Sequence, residues 1–206
     1  MVAKPHSGNE KSKRLRGQME PFDRGSLDLI RATLRSKRQW RDLALLNCGI
    51  DTMLRASDLL RLRVMDLVDH EGRAITRMSI RQKKTGKPVP VSLSERTREA
   101  ILTVIAHHMK YRDDYLFTRH HAPHGRHLSE FALRTLVKKW AVIANLDPSR
   151  YSGHSLRRTK PAFLYRETGN LRAIQHLLGH TTLMHTGAYL GIGEQEAIEL
   201  AMKYDI

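Results

Sequence analysis

Leu27, Leu29, Ile30 and Leu34, then Leu43, Leu45, Leu46 and Ile50, recur roughly at helical spacing and predict two helices between residues 22 and 54. A third is expected over 56–67, where Ser57 and Asp58 suit a helix N-terminus and Leu59, Leu60 and Leu62 face a core. The period then changes. Ala74, Thr76, Met78 and Ile80 alternate with Ile75, Arg77, Ser79 and Arg81, a Lys-Thr-Gly-Lys turn follows, and Val89 and Val91 alternate again, which predicts a β-hairpin. It is the one strand pair the pattern supplies.

Helical spacing returns behind Ser94 and behind Ser129, the second helix carrying Phe131, Leu133, Leu136, Val137 and Trp140 near one face. Residues 118–127, "TRHHAPHGRH", read as a loop between them. Three more helices are expected near 155–168, 171–178 and 194–202, separated by Gly169, Gly179 and Gly191 or Gly193, with a short flexible segment from His180 to Tyr189. Pro161 lacks the N–H that would bond the Arg157 carbonyl and crowds that same carbonyl, so a kink is expected there. The predicted fold is mainly α (α+β), a helical bundle with one small antiparallel β-sheet.

Residues 1–22 hold almost no large apolar side chains and read as a mobile basic arm, leaving 23–206 as the folded domain. Of 206 residues, 36 are Lys or Arg and 21 are Asp or Glu, a formal net charge of +15 that points to a polyanionic partner, nucleic acid first. The single cysteine, Cys48, lies in an apolar stretch, which excludes an intrachain disulfide framework and reads as a core thiol. No run approaches the ~18 apolar residues of a membrane span, and the N-terminus has no apolar run like a signal peptide, so a cytoplasmic protein is expected.

The stretch 153–189 concentrates imidazole, guanidinium and phenol with hardly a carboxylate. On a helix, His154 and Arg157 are three residues apart and share a face. Guanidinium forks match phosphate oxygens, so two converging arginines would neutralise the charge that builds on a five-coordinate phosphorus. No Asp/Glu set resembles the paired carboxylates that hold two Mg²⁺ ions, so no metal or other cofactor is expected and a side chain can serve as nucleophile. Tyr189 is the candidate, its phenol activated by nearby arginines and a histidine. Tyr165 is the competing phenol, but it falls within a helix beside Phe163 and Leu164, where packing accounts for it.

"GHSLRRT", "LLGHTT" and "GAY" together resemble the His-x-x-Arg, Leu-Gly-His and tyrosine signature of the tyrosine recombinase (phage integrase) family. "LRASDLLRLRVMDL" is similar to the family's first-arginine motif, which makes Arg55 the partner of Arg157. "RQKKTGKPVPVSL" is similar to its lysine-bearing hairpin, best matched by Lys84, although Lys83 and Lys87 share the turn. The resemblance implies a catalytic set of Arg55, Lys84, His154, Arg157, His180 and Tyr189. It implies strand cleavage through a 3′-phosphotyrosyl link without metal or ATP, double-stranded DNA as substrate, four protomers acting together, and possible accessory DNA-bending proteins. The family usually carries an N-terminal core-binding domain, and a minimal form with a basic arm of about 22 residues in its place is expected here.

Several readings stay open at this level. A type IB topoisomerase uses a similar pocket to relax one duplex, and a non-cleaving DNA-binding accessory protein would keep the fold. Arg158 points ~100° away from Arg157 on a helix and is expected to touch a backbone phosphate or pair with an acid. His120, His121, His124 and His127 read as a cationic loop near DNA. Ala197, Ile198, Ala201 and Met202 form a small apolar stripe suited to a neighbouring copy or to the domain itself.

Overall fold

The computed structural model describes residues 18–191 and Met202. Within them the chain runs α1 (Arg24–Ser36), α2 (Trp40–Thr52), α3 (Ala56–Leu59), β1 (Arg77–Arg81), β2 (Pro88–Ser92), α4 (Glu95–His107), β3 (Thr118–Arg119), β4 (Ala122–His127), α5 (Glu130–Ile143), α6 (Gly153–Thr168), α7 (Leu171–Leu178) and α8 (Leu183–Leu190). The mainly helical α+β architecture expected from the sequence is the one observed. Asp23, Ser94 and Ser129 cap α1, α4 and α5 by accepting from backbone N–H groups of the first turn.

α2 is the axis of the bundle, buried from Arg41 to Thr52 and packed between α4 and α6. Its polar side chains are buried with partners. Asp51 accepts from Ser94 and Thr97 and pairs with Lys160 of α6 at 2.9 Å, while Arg41 bonds Asp42 and the Thr118 carbonyl. Gly49 lets α6 come close, since a Cβ there would lie 2.8 Å from Leu156 Cδ1. That contact seats the first turns of α6, which carry His154 and Arg157, directly on the core. Cys48 is fully buried there, and burial pushes its thiol pKa up.

β1 and β2 pair antiparallel from Arg77↔Ser92 to Arg81↔Pro88, with Val89 and Val91 buried beneath. A smaller core of Met53, Ile174 and Leu178 lies beside the main one, and Tyr165 packs on it as expected.

Several expectations are corrected. The segment 118–127 is a second antiparallel pair, β3 with β4, so there are two small sheets among the described residues. The buried Lys110 ammonium ties it down by donating to the Thr118 hydroxyl and the Pro123 carbonyl. The third helix is only one turn long and gives way to a 3-10 turn at Val64–Asp66. Phe131 is 73% exposed, outside the α5 core face. Pro161 does not end α6, which stays helical to Thr168. Residues 18–22, assigned to the arm, lie against the domain: Phe22 is buried, stacks on Tyr151 and bonds Thr159, and Glu20 pairs with Arg150. The rest of the expected arm, and the 194–202 helix with its apolar stripe except Met202, lie outside the described residues. Among the described residues no helix is long and apolar enough to cross a membrane.

Candidate active site

Arg157 sits in the second turn of α6, 3% exposed, between two helix ends. One guanidinium nitrogen donates to the carbonyl of Met53, the C-cap of α2, and the other to that of Leu178, the last residue of α7, at 3.0 Å. Helix C-termini leave carbonyls unsatisfied and carry partial negative charge, so these two ends form a socket that stabilises a buried cation. Burial, and after it the nearby Arg55, still shift the Arg157 pKa downward.

Arg55 is the N-cap of α3, and its backbone carbonyl accepts from Asp58 and Leu59. Its half-buried guanidinium donates to Gln82 Oε1. His154 is exposed at the start of α6, and desolvation and Arg157 lower its pKa. Arg55, His154 and Arg157 line a cleft of about 390 Å³ together with Arg134 and Lys138 of α5, Met19 and Tyr151. Four cationic side chains and one imidazole around such a cleft outweigh its one carboxylate, Glu130, and suit it to an anion.

The turn between α7 and α8 and the helix that follows it bring His180 and Tyr189 beside Arg157. Gly179 has φ +66°, and a Cβ there would come 2.5 Å from Val89 Cγ1 and 3.3 Å from Gln82 Nε2. Only glycine fits, and the close approach docks His180 against the hairpin. The His180 Nδ1 lies 3.2 Å from the Thr186 hydroxyl. Burial, then Arg157 and Arg55, push its pKa down to about 4, so its imidazole is neutral near pH 7.

Tyr189 lies on α8, a helix where the sequence reading expected a flexible segment. Its ring meets the edge of His180, and the Arg158 guanidinium stands over it at 5.2 Å from the ring centroid. The phenolic hydroxyl is buried beside Arg157 without a well-formed hydrogen bond among the described residues. Burial raises its pKa to about 12, and Arg157 and Arg158 oppose that rise.

Five of the six expected residues therefore gather around Arg157. Lys84 does not: it is exposed at the hairpin tip and makes no hydrogen bond or ion pair among the described residues. Gln82 is absent from the sequence reading, and Arg158 enters it only as a phosphate contact or the partner of an acid. Arg158 reaches the Tyr189 ring because α8 packs along the flank of α6. Gln82 continues the inward phase of Met78 and Ile80 and is 1% exposed, a signal present in the alternation. In the histidine-rich segment, His124 pairs with Asp114 at 2.7 Å and stacks on Tyr111. Among the described residues no group of three or more His, Cys, Asp or Glu is arranged to hold a metal ion.

The family model described as the phage integrase family matches residues 26–196. A tyrosine recombinase of Pseudothermotoga lettingae is 29% identical over 176 residues, which cover 85% of this chain and 57% of that protein. The chain spans little more than half the length of the curated relatives it matches. Among solved structures, the XerA recombinase has a TM-score of 0.71 at 19% identity, covering 90% of this chain and 65% of its own. The XerH site-specific recombinase, solved bound to its difH substrate in a pre-cleavage complex, has a TM-score of 0.68 at 21% identity, covering 88% and 53%. At these identities the structures are alike in fold.

Proposed function

The chain belongs to the phage integrase family, and on that footing we propose that it is a site-specific DNA recombinase that cleaves and rejoins strands through Tyr189. The scissile phosphate enters the cleft, where Arg55, Arg157 and His154 hold its non-bridging oxygens. α8 releases the buried Tyr189 hydroxyl toward the cleft, its oxygen attacks phosphorus, the P–O5′ bond breaks, and a 3′-phosphotyrosyl link replaces it. A phosphodiester is exchanged for a phosphodiester, so the step needs no ATP, and a second 5′-hydroxyl reverses it.

The phenolic proton passes to His180. Arg157 and Arg55, which add to burial in keeping this ring neutral, are partly neutralised once an anionic phosphate arrives, which raises its basicity at the moment it is needed. Lys84 is the acid for the leaving 5′-oxygen, delivered by the hairpin as DNA fills the cleft. Double-stranded DNA is the partner, four protomers perform exchange, accessory DNA-bending proteins assist, and the site of action is the cytoplasm. The catalytic domain begins by residue 18 and runs to 206, behind the basic N-terminal arm.

The observation that carries this reading is that Arg157 both lines the cationic cleft and lies beside the buried Tyr189 hydroxyl. A pool of nicked duplexes with randomised arms, incubated with protein and washed under denaturing conditions, tests it. Covalently retained DNA that enriches one sequence over successive rounds, and vanishes in Tyr189→Phe, is the expected result. Binding without covalent retention would instead identify a non-cleaving accessory protein. Relaxation of supercoiled plasmid without sequence enrichment would identify a topoisomerase.

A further inference from the structure

Gln82 immediately follows β1 and is 1% exposed, yet both ends of its amide are engaged. Oε1 accepts from Arg55 Nη1 and from the Thr85 hydroxyl at 3.0 Å, and Nε2 donates to the Leu178 carbonyl at 3.2 Å. The same carbonyl accepts from Arg157 Nη2 at 3.0 Å. A continuous chain thus runs from Arg55 through the Gln82 amide and one shared acceptor to Arg157. It joins three elements remote in sequence: the start of α3, the turn end of the hairpin and the end of α7. The turn that carries Lys84 closes on the same residue, since Gly86 N–H donates to the Gln82 carbonyl and Gln82 N–H to that of Lys87.

Side-chain chemistry narrows what can stand at this position. The guanidinium is all donor, so Oε1 must face it and Nε2 must face the carbonyl, which fixes the amide orientation. A carboxylate could accept from Arg55 but could not donate to Leu178. A lysine could donate but not accept. A carboxylate would also pair with Arg55 and cancel the charge that attracts phosphate, whereas a neutral amide restrains the guanidinium and leaves that charge whole. Arg55 has a long, half-exposed side chain that would otherwise lose rotamer freedom on gripping an anion.

Resting on the reading that Arg55 and Arg157 grip a scissile phosphate, we propose that Gln82 is a positioning residue for strand cleavage: its amide holds the Arg55 guanidinium in register with Arg157 and ties both to the lysine-bearing hairpin. It acts through Arg55 and does not touch the substrate.

The test uses the nicked duplex recovered from the covalent pool, with single-turnover cleavage at saturating DNA, DNA Kd and thermal midpoint measured in parallel. Gln82→Met keeps the volume and removes both hydrogen bonds, and Gln82→Glu keeps the acceptor but adds charge. Both are expected to slow cleavage about 10- to 100-fold, as misorientation of a reacting group does, while Kd changes less than threefold. The double variant Gln82→Met/Arg55→Ala is expected to cleave no more slowly than Arg55→Ala alone, which a general loosening of the fold would not produce. Wild-type rates in either folded Gln82 variant, or multiplied losses in the double variant, overturn the proposal and leave the recombinase reading standing. A wild-type protein that forms no adduct overturns both. Should Gln82→Met fail to fold, Gln82→Glu in its own cycle with Arg55→Ala decides by the same criteria.

Discussion

The ring of His180 stands edge-on to the ring of Tyr189, with centroids 5.3 Å apart and planes at 83°. The imidazole is thereby fixed beside the phenol in its neutral form, its pKa lowered from 6.5 to about 4. This has a thermodynamic consequence. Between about pH 6.5 and about pH 4 the unfolded chain binds a proton at His180 that the folded chain does not, so stability is present above this window and is lost as pH falls through it. His154, His108 and His120, also shifted down, act in the same direction. The thermal midpoint is expected to drop from pH 7 to pH 4.5, and His180→Gln to flatten part of that slope. An unchanged slope in His180→Gln would contradict the assignment.

Gly179 and Gly169 both adopt left-handed backbone, at φ +66° and +62°, but a Cβ meets Val89 and Gln82 only at Gly179 and open space at Gly169. Gly169→Ala is expected to lose about 1–2 kcal/mol from backbone strain alone. Gly179→Ala adds overpacking, for a total of about 2–5 kcal/mol. Urea denaturation of the two variants measures the difference directly. Equal losses would mean that the turn bearing His180 is not docked on the hairpin.

Arg134 and Lys138 line the same cleft as Arg157 and are exposed. If each neutralises one DNA phosphate, its removal releases one fewer counterion. Arg134→Ala and Lys138→Ala are each expected to shallow the plot of log K against log salt by about 1, for every duplex sequence tried. Fluorescence anisotropy across a salt series checks this. An effect confined to one sequence would make them base readers instead.

Much of this architecture was legible in the chain because apolar periodicity is strong in α1, α2, α4 and α5 and each of α1, α4 and α5 opens on a capping Asp or Ser. The hairpin was legible for the same kind of reason, a period of two on either side of a glycine turn. β3 and β4 were not, because the pair is held by the Lys110 ammonium and backbone bonds rather than by alternating apolar side chains. α8 was missed because, apart from Tyr189 and Leu190 on the small core, it presents little apolar surface inward, and Leu183 and Met184 are exposed. The cluster of candidate residues could be listed from motifs, but not the supports beneath it. The Met53 and Leu178 carbonyls that hold Arg157 are backbone groups with no sequence signature, and Arg158 was set aside by a helical wheel that cannot see the helix packed along its flank.

Tyr189 as the group that becomes joined to DNA is the claim on which the rest depends. The covalently captured complex, digested with nuclease and trypsin and sequenced by mass spectrometry, tests it most directly. The account predicts a residual nucleotide on the peptide beginning at Ala173, localised by fragmentation to Tyr189. A nucleotide on Tyr165 or any other residue would contradict it.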